Sequence, residues 1–209
     1  MQLRLAVLIL AAGASERYKN NKLLSLHPAG SILINYVINT CLPLCSFKAP
    51  VVVSGRWHQS LSQVVSPTVN LIYNADWQHG MGTSIACGVN HLVSDTEPGK
   101  GDVEQPTHIL VVLGDMPVIT TESVGALVEA MHRNPENVIV SAWHQRHTVP
   151  AVFPAEYFSE LQSLASDEGA RGLIKRLLTK QPQKVTSVAH EQAAVDIDTP
   201  EDWNRLYTR

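Results

Sequence analysis

Short, almost wholly apolar runs recur along this chain, each followed by a polar turn and a longer amphipathic stretch, and that rhythm leaves few folds open. The runs are LAVLIL at 5–10, VVV at 51–53, VNLIY at 69–73, HILVVL at 108–113 and VIVSA at 138–142. A strand buried on both faces reads as a continuous apolar run, and the stretch that follows serves as a crossover helix. The pattern therefore predicts βαβ units on a mostly parallel sheet flanked by helices. Helices are expected at 32–40, 83–92, 121–132 and 169–179, the third with Thr120 or Thr121 as N-cap, and a last one from Pro200 capped by Thr199. VPAVFP at 149–154 reads as a further strand near a sheet edge, because proline cannot donate to a ladder. The polar segment 94–106 reads as a surface loop inside one domain spanning 1–209.

With 209 residues, 44% of them apolar, the chain can bury one substantial core. Sixteen Lys+Arg against nineteen Asp+Glu leave a net charge of −3. No segment gathers the positive charge that nucleic acid demands, so no nucleic-acid partner is expected. Three cysteines without a CxxC pair suit a reducing compartment, and the expected location is cytoplasmic. Residues 3–14, LRLAVLILAAGA, also have the outline of a secretory leader, but the strand and turn pattern behind them favours a buried first strand. No run approaches the ~18 apolar residues that cross a bilayer, so no membrane partner is expected.

In an open parallel sheet the ligand lies at the carboxyl ends of the strands, so the residues just after each run carry the chemistry. The first run ends in Leu10-Ala11-Ala12-Gly13-Ala14-Ser15-Glu16-Arg17, followed by Lys22. Small residues let backbone N–H groups approach a phosphate, and the two cations add charge to that anion hole. Neither GxxxxGK[ST] nor GxGxxG is present, and the competing reading is a surface turn that carries two cations. After HILVVL comes Gly114-Asp115-Met116-Pro117, which puts a carboxylate where a nucleotide enzyme holds Mg²⁺; the alternative is an Asp capping a turn. Asp196 and Asp198 share one face if their segment is extended, and either serves as a second metal ligand or caps the helix at Pro200. Gly80, Gly82 and Ser84 open a helix, where close backbone approach and free N–H groups suit a base or a phosphate, or Thr83 simply caps a glycine turn.

Further candidates carry less. His144 and His147 pair for a metal only if helical and lack a third ligand. Cys41 and Cys45 read as packed thiols, and Trp77 and Trp203 as packing anchors. Arg171, Lys175 and Arg176 suit an anionic acceptor or a solvated helix face.

LAAGASER with Lys22, NADWQHGMGTS, LGDMP, SDEGARGLI and DIDTPEDW follow one another across essentially the whole chain. In order and spacing they resemble the molybdenum cofactor cytidylyltransferase group of the MobA-like nucleotidyltransferases. The resemblance implies a Rossmann-like nucleotidyltransferase fold that uses CTP and Mg²⁺ to transfer CMP to the phosphate of molybdopterin, releasing pyrophosphate. It implies a nucleotide-binding loop at Ala11, Ala12 and Gly13, catalytic triphosphate contacts at Arg17 and Lys22, and metal ligation by Asp115 and Asp198; with the residue readings above, the expected nucleotide-binding set is Leu10, Ala11, Ala12, Gly13, Ser15, Lys22, Gly80, Gly82, Ser84 and Asp115. The resemblance also implies a client molybdoenzyme or its chaperone as a partner. LAAG, where related guanylyltransferases read LAGG, favours cytidine. The alternatives are guanylyl or other nucleotidyl transfer to a different small phosphate, or a non-catalytic maturation protein that binds the nucleotide or cofactor. Two departures stand out: Lys19 replaces the usual glycine of the R-x-G-x-x-K loop, and His144-Gln145-Arg146-His147-Thr148-Val149-Pro150 replaces a glycine-rich stretch. A phosphate monoester, with a second pKa near ~6, arrives largely ionised and needs no general base. The site then has only to position the reactants and neutralise charge.

Overall fold

A computed structural model describes residues 2–94 and 105–207, and most of the loop expected at 94–106 lies outside them. The six expected strands and an unexpected one, β7, form a single seven-stranded sheet in the order β3-β2-β1-β4-β6-β5-β7. These are β1 (Leu5–Ala11), β2 (Val51–Ser54), β3 (Asn70–Tyr73), β4 (His108–Leu113), β5 (Val138–Trp143), β6 (Arg146–Pro154) and β7 (Val185–Ala189). β1, β2, β3 and β4 pair in parallel, as do β5 and β7, while β6 runs against both β4 and β5. The helices are α1 (Leu33–Cys41), α2 (His58–Ser62), α3 (Met81–Ser94), α4 (Thr121–Arg133), α5 (Phe158–Gln162), α6 (Arg171–Lys180) and α7 (Pro200–Tyr207).

β1 shows why the apolar runs are continuous. Every one of its residues is buried. Leu5, Val7, Ile9 and Ala11 face a layer built from α1, α4 and the terminal helix, while Ala6, Leu8 and Leu10 face α3, α5 and α6. Successive side chains point to opposite faces, so a strand covered on both sides cannot afford a polar residue at either parity. Each such Leu, Ile or Val contributes about 1.5–3 kcal/mol by leaving water. Within 3–14, residues 5–11 thus form an interior strand of the sheet, between β2 and β4. Thr120 caps α4 as expected, accepting from the Ser123 N–H while the Ser123 hydroxyl accepts from the Thr120 N–H.

The proline-flanked strand departs from expectation. β6 lies inside the sheet, between β4 and β5. Pairing passes from Val140 with Ala151 directly to Ser141 with Thr148, so Val149 and Pro150 stand outside the β5 ladder. β4 pairs with β6 only from Ala151 onward. Pro150 sits at a bulge where no N–H is required, and the edge position becomes unnecessary. Among the described residues, no helix is long and apolar enough to cross a membrane.

Candidate active site

The carboxyl ends of β1 and β4 are tied together by the Gly114 N–H donating to the Leu10 carbonyl over 2.8 Å. This junction puts Asp115 beside the turn that follows β1. Lys22 enters from a short turn of helix at Lys22–Leu24, which is capped by the Asn21 side chain accepting from the Leu23 N–H. Its Nζ lies 2.6 Å from Asp115 Oδ2 and 3.2 Å from Asp198 Oδ1. Arg17 closes the set, 2.6 Å from Asp198 Oδ2. Burial alone would lower the Lys22 pKa, but the Asp115 and Asp198 carboxylates outweigh it and hold the ammonium above the ordinary lysine value. Residues from three distant parts of the sequence thus form one alternating charge cluster.

Asp196 and Asp198 do not share the face of a strand, because residues 195–198 are irregular. Ile197 between them is fully buried, and its N–H donates to the Asp115 carbonyl. Asp198 joins the cations, while Asp196 lines a different cavity. Burial, reinforced by the charges of Asp115 and Asp198, pushes the Asp196 carboxyl above the usual aspartate value, with Lys22 partly opposing. Neither residue caps α7. Asp202, the third residue of α7, instead reaches back to the chain before the helix, its Oδ2 accepting from the Asp198 and Thr199 N–H groups at 3.0 and 2.7 Å.

Asp115 Oδ1 is buried and finds no hydrogen-bond partner among the described residues. An orphaned carboxylate oxygen beside a second carboxylate fits a hard divalent cation, which takes one or two protein oxygens and completes its shell with phosphate and water. Among the described residues no group of three or more His, Cys, Asp or Glu assembles for a metal, so all-protein ligation is not built here. His144 lies in the β5–β6 turn with φ of 41°, so the helical spacing that a His144/His147 pair needs does not form.

Cavities of about 360 and 290 Å³ are lined by members of this cluster, and one of about 660 Å³ by the neighbouring Met116 and Asp196. The smallest holds Ser15, Arg17, Lys22 and Asp198. The middle one is lined by Leu10, Ala12, Gly13, Gly80, Ser84 and Asp115, which brings six of the expected nucleotide residues to one place. Ala11 differs, since its side chain is packed in the core. Gly82 is also committed to packing: its N–H donates to the Ser166 carbonyl, and a Cβ there would lie 2.6 Å from that oxygen. Gly80, with φ of 110°, leaves room for the Asp167 carboxylate, which a Cβ would meet at 2.5 Å. Ser84 is buried and accepts from Asn74 Nδ2. Asp167, Glu16 and Trp77 line this middle cavity as well, and sequence reasoning did not single them out as ligand-facing. For Asp167 the clue lay in its motif, SDEGARGLI, whose role only the contact with Gly80 reveals.

The largest cavity shares Leu113 with the middle one. Trp143, Arg146 and His147 from the β5–β6 hairpin line one side, Arg171 and Lys175 from α6 another, and Ala193, Ala194 and Asp196 a third. Arg146 stacks 5.0 Å over the Trp143 ring. Arg176 instead turns to Glu160 at 2.6 Å, leaving Arg171 and Lys175 as the α6 cations here. Lys19 adopts a φ of 59°, the left-handed conformation for which glycine is favoured, so the loop keeps its path despite the replacement. Cys41 and Cys45 carry free thiols, and burial pushes Cys41 up to about 12.

Comparison with known proteins finds similarity along most of the chain. The purine catabolism protein PucB of Bacillus subtilis is 28% identical over 94% of this chain and 93% of its own. The crystal structure of Rv0371c from Mycobacterium tuberculosis superposes with a TM-score of 0.75 at 18% identity over 100% of both chains, and that protein has also been solved in complex with manganese. Molybdopterin-guanine dinucleotide biosynthesis protein A from Archaeoglobus fulgidus follows with a TM-score of 0.63 and 18% identity, over 96% of this chain and 95% of that one. Residues 7–184 match the MobA-like NTP transferase domain, so the chain that carries this charge cluster at its β1/β4 crevice belongs to that nucleotidyltransferase family.

Proposed function

We propose that this chain transfers CMP from CTP to the phosphate of molybdopterin and releases pyrophosphate. The observation that carries this reading is the division of the crevice. Asp115, paired with Lys22, lines a narrow cavity rimmed by the β1 turn, and the adjoining Leu113 and Met116 line a wide one that combines Arg146, Arg171 and Lys175 with the apolar walls of Trp143 and Leu178. Cations beside a flat apolar surface suit an acceptor that joins a dianionic phosphate to a planar heterocycle.

In this reading Ala12 and Gly13 offer backbone to the nucleotide, with the Ala12 methyl crowding the base side. Arg17 and Lys22 exchange their carboxylate partners for triphosphate oxygens, and Asp115 and Asp198 are then free to hold Mg²⁺. The metal would neutralise charge on the α-phosphate and the departing pyrophosphate. The acceptor phosphate is mostly ionised at neutral pH, so the protein need only align it with the α-phosphorus and stabilise the charge that gathers there. A client molybdoenzyme or its chaperone would receive the product.

The test is direct. Purified protein is incubated with Mg²⁺, molybdopterin and each of the four ribonucleoside triphosphates, and pyrophosphate is measured. Release with CTP that depends on molybdopterin is expected. Release with GTP in preference would replace cytidylyl by guanylyl transfer, and release with no triphosphate would remove the reading.

A further inference from the structure

The hairpin arm 143–149 and the segment 193–196, which face each other across the wide cavity, are joined at one buried histidine. His190 is 1% exposed and lies just past the end of β7. Its backbone N–H donates to the Ala142 carbonyl at 2.9 Å, and its own carbonyl accepts from the Ala193 N–H, which starts the turn leading to Ala194 and Asp196. The side chain makes the second connection. Ser141, fully buried, donates its hydroxyl to the Pro150 carbonyl at 2.6 Å. With that hydrogen spent, the Ser141 oxygen can only accept from His190 Nδ1, 2.8 Å away. Nδ1 therefore carries the proton, and Nε2 lies 3.1 Å from the Ser123 hydroxyl on α4, whose own hydrogen goes to the Thr120 carbonyl at 3.1 Å.

The carbonyl held in this way is that of the bulge. Val149 and Pro150 stand outside the β5 ladder, which resumes with Ser141 opposite Thr148, Ala142 opposite His147 and Trp143 opposite Arg146; beyond the bulge the arm no longer pairs with β4 and forms a wall carrying Trp143, Arg146, His147, Thr148 and Val149. Without a ladder bond the Pro150 carbonyl depends on Ser141, and the orientation of the Ser141 hydroxyl depends on His190. Bulges re-aim the side chains beyond them, and here the aim is fixed by a side-chain chain that ends on α4.

We propose that His190, acting through Ser141, is a positioning residue for the acceptor: it sets the angle of the 143–149 arm and thereby the placement of Trp143, Arg146 and His147 around the acceptor. The proposal rests on reading the wide cavity as the acceptor side. His190 touches neither substrate in this arrangement, and the nucleotide cavity shares no residue with the arm.

The test compares wild type with Ser141→Ala, His190→Ala, His190→Asn and Ser123→Ala in steady-state transfer from CTP to molybdopterin. Ser141→Ala and His190→Ala should raise KM for molybdopterin about tenfold, the effect of one lost hydrogen bond, while KM for CTP stays within about twofold. His190→Asn, whose amide N–H replaces Nδ1–H, should restore most of the affinity, and Ser123→Ala should leave it near wild type. If KM for both substrates rises together, or KM for molybdopterin does not move, the proposal is overturned. Should His190→Ala fail to fold, Ser141→Ala and His190→Asn decide the matter. Amide hydrogen exchange gives a readout that needs no acceptor: residues 143–149 should exchange about tenfold faster in Ser141→Ala, with residues 5–22 unchanged. If wild type transfers nothing to molybdopterin, the acceptor assignment fails, and the exchange experiment still decides whether His190 and Ser141 hold the arm.

Discussion

Lys22 and Asp115 meet at 2.6 Å through one carboxylate oxygen, while the other oxygen of Asp115 is buried with no hydrogen-bond partner among the described residues. The pair is thus half satisfied. The cation is an internal one on a flexible stem, and the remaining oxygen is set for a ligand that the protein itself does not supply.

Removing the cations should cost transfer directly. Lys22→Ala should lower the transfer rate by about 10²-fold, corresponding to roughly 3 kcal/mol of transition-state stabilisation, as expected of a well-placed donor. Arg17→Ala should act in the same direction and less strongly, because Arg17 is mostly exposed whereas Lys22 is enclosed. Pyrophosphate release under saturating substrates checks both, and undiminished rates would dismiss these residues from the chemistry.

The carboxylates separate catalysis from capping. Asp115→Asn and Asp198→Asn should each raise the Mg²⁺ concentration needed for half-maximal rate, with the larger effect at Asp115, since a hard cation loses an anionic oxygen. Asp202→Ala should instead cost about 1 kcal/mol of stability through the lost hydrogen bonds to the Asp198 and Thr199 N–H groups, with a much smaller loss of transfer. Melting curves set beside Mg²⁺ titrations distinguish the classes; a Mg²⁺ requirement that shifts with Asp196→Asn but not with Asp198→Asn would move the second ligand to Asp196.

Base choice should respond to one methyl group. Ala12 is buried and lines the narrow cavity, so Ala12→Gly should weaken the preference for CTP over GTP while leaving the transfer chemistry active. The ratio of kcat/KM for the two triphosphates measures this, and an unchanged ratio would show that the methyl does not face the base.

Stability should fall on mild acidification. Burial lowers the pKa values of both His190 and His108 below the ordinary 6.5, with the Pro135 carbonyl partly opposing at His108. The unfolded chain therefore binds protons that the folded chain refuses. The stability from these groups is fully present above about pH 6.5 and declines as pH falls toward the folded values, levelling out below them. Denaturant unfolding at pH 7.5 and pH 5.5 should show the loss, and His190→Asn should reduce it; a pH-independent His190 contribution would mean that the imidazole is not held neutral.

The layout of the sheet could be read in the sequence because β1 and β4 are buried on both faces, and such strands have no choice but to be apolar throughout. β7 was not legible. Its VTSVA is short, half exposed and pairs on one side only, so no pattern of burial is imprinted on it. The placement of β6 was misread because a proline rule for ladders was applied to a residue that had left the ladder. In the site, Arg17, Lys22 and Asp115 could be found because each follows closely on a strand end. Asp196 and Asp198 were harder to separate, since alternation holds only in a strand and theirs is an irregular segment pinned by Ile197. Asp167 and Trp143 escaped notice because their roles depend on contacts with Gly80 and Arg146 that no local spacing encodes.

The turn between α5 and α6 places Asp167 at the narrow cavity and Arg171, the first residue of α6, at the wide one, and Ser166 within the same turn is clamped to Gly82. A designer who reshapes this turn to admit another base will therefore also move the start of the helix that faces the other substrate. The two preferences are coupled in their inheritance: a change here is selected for its effect on the matched pair of substrates, and libraries that vary 165–171 should be screened against both at once.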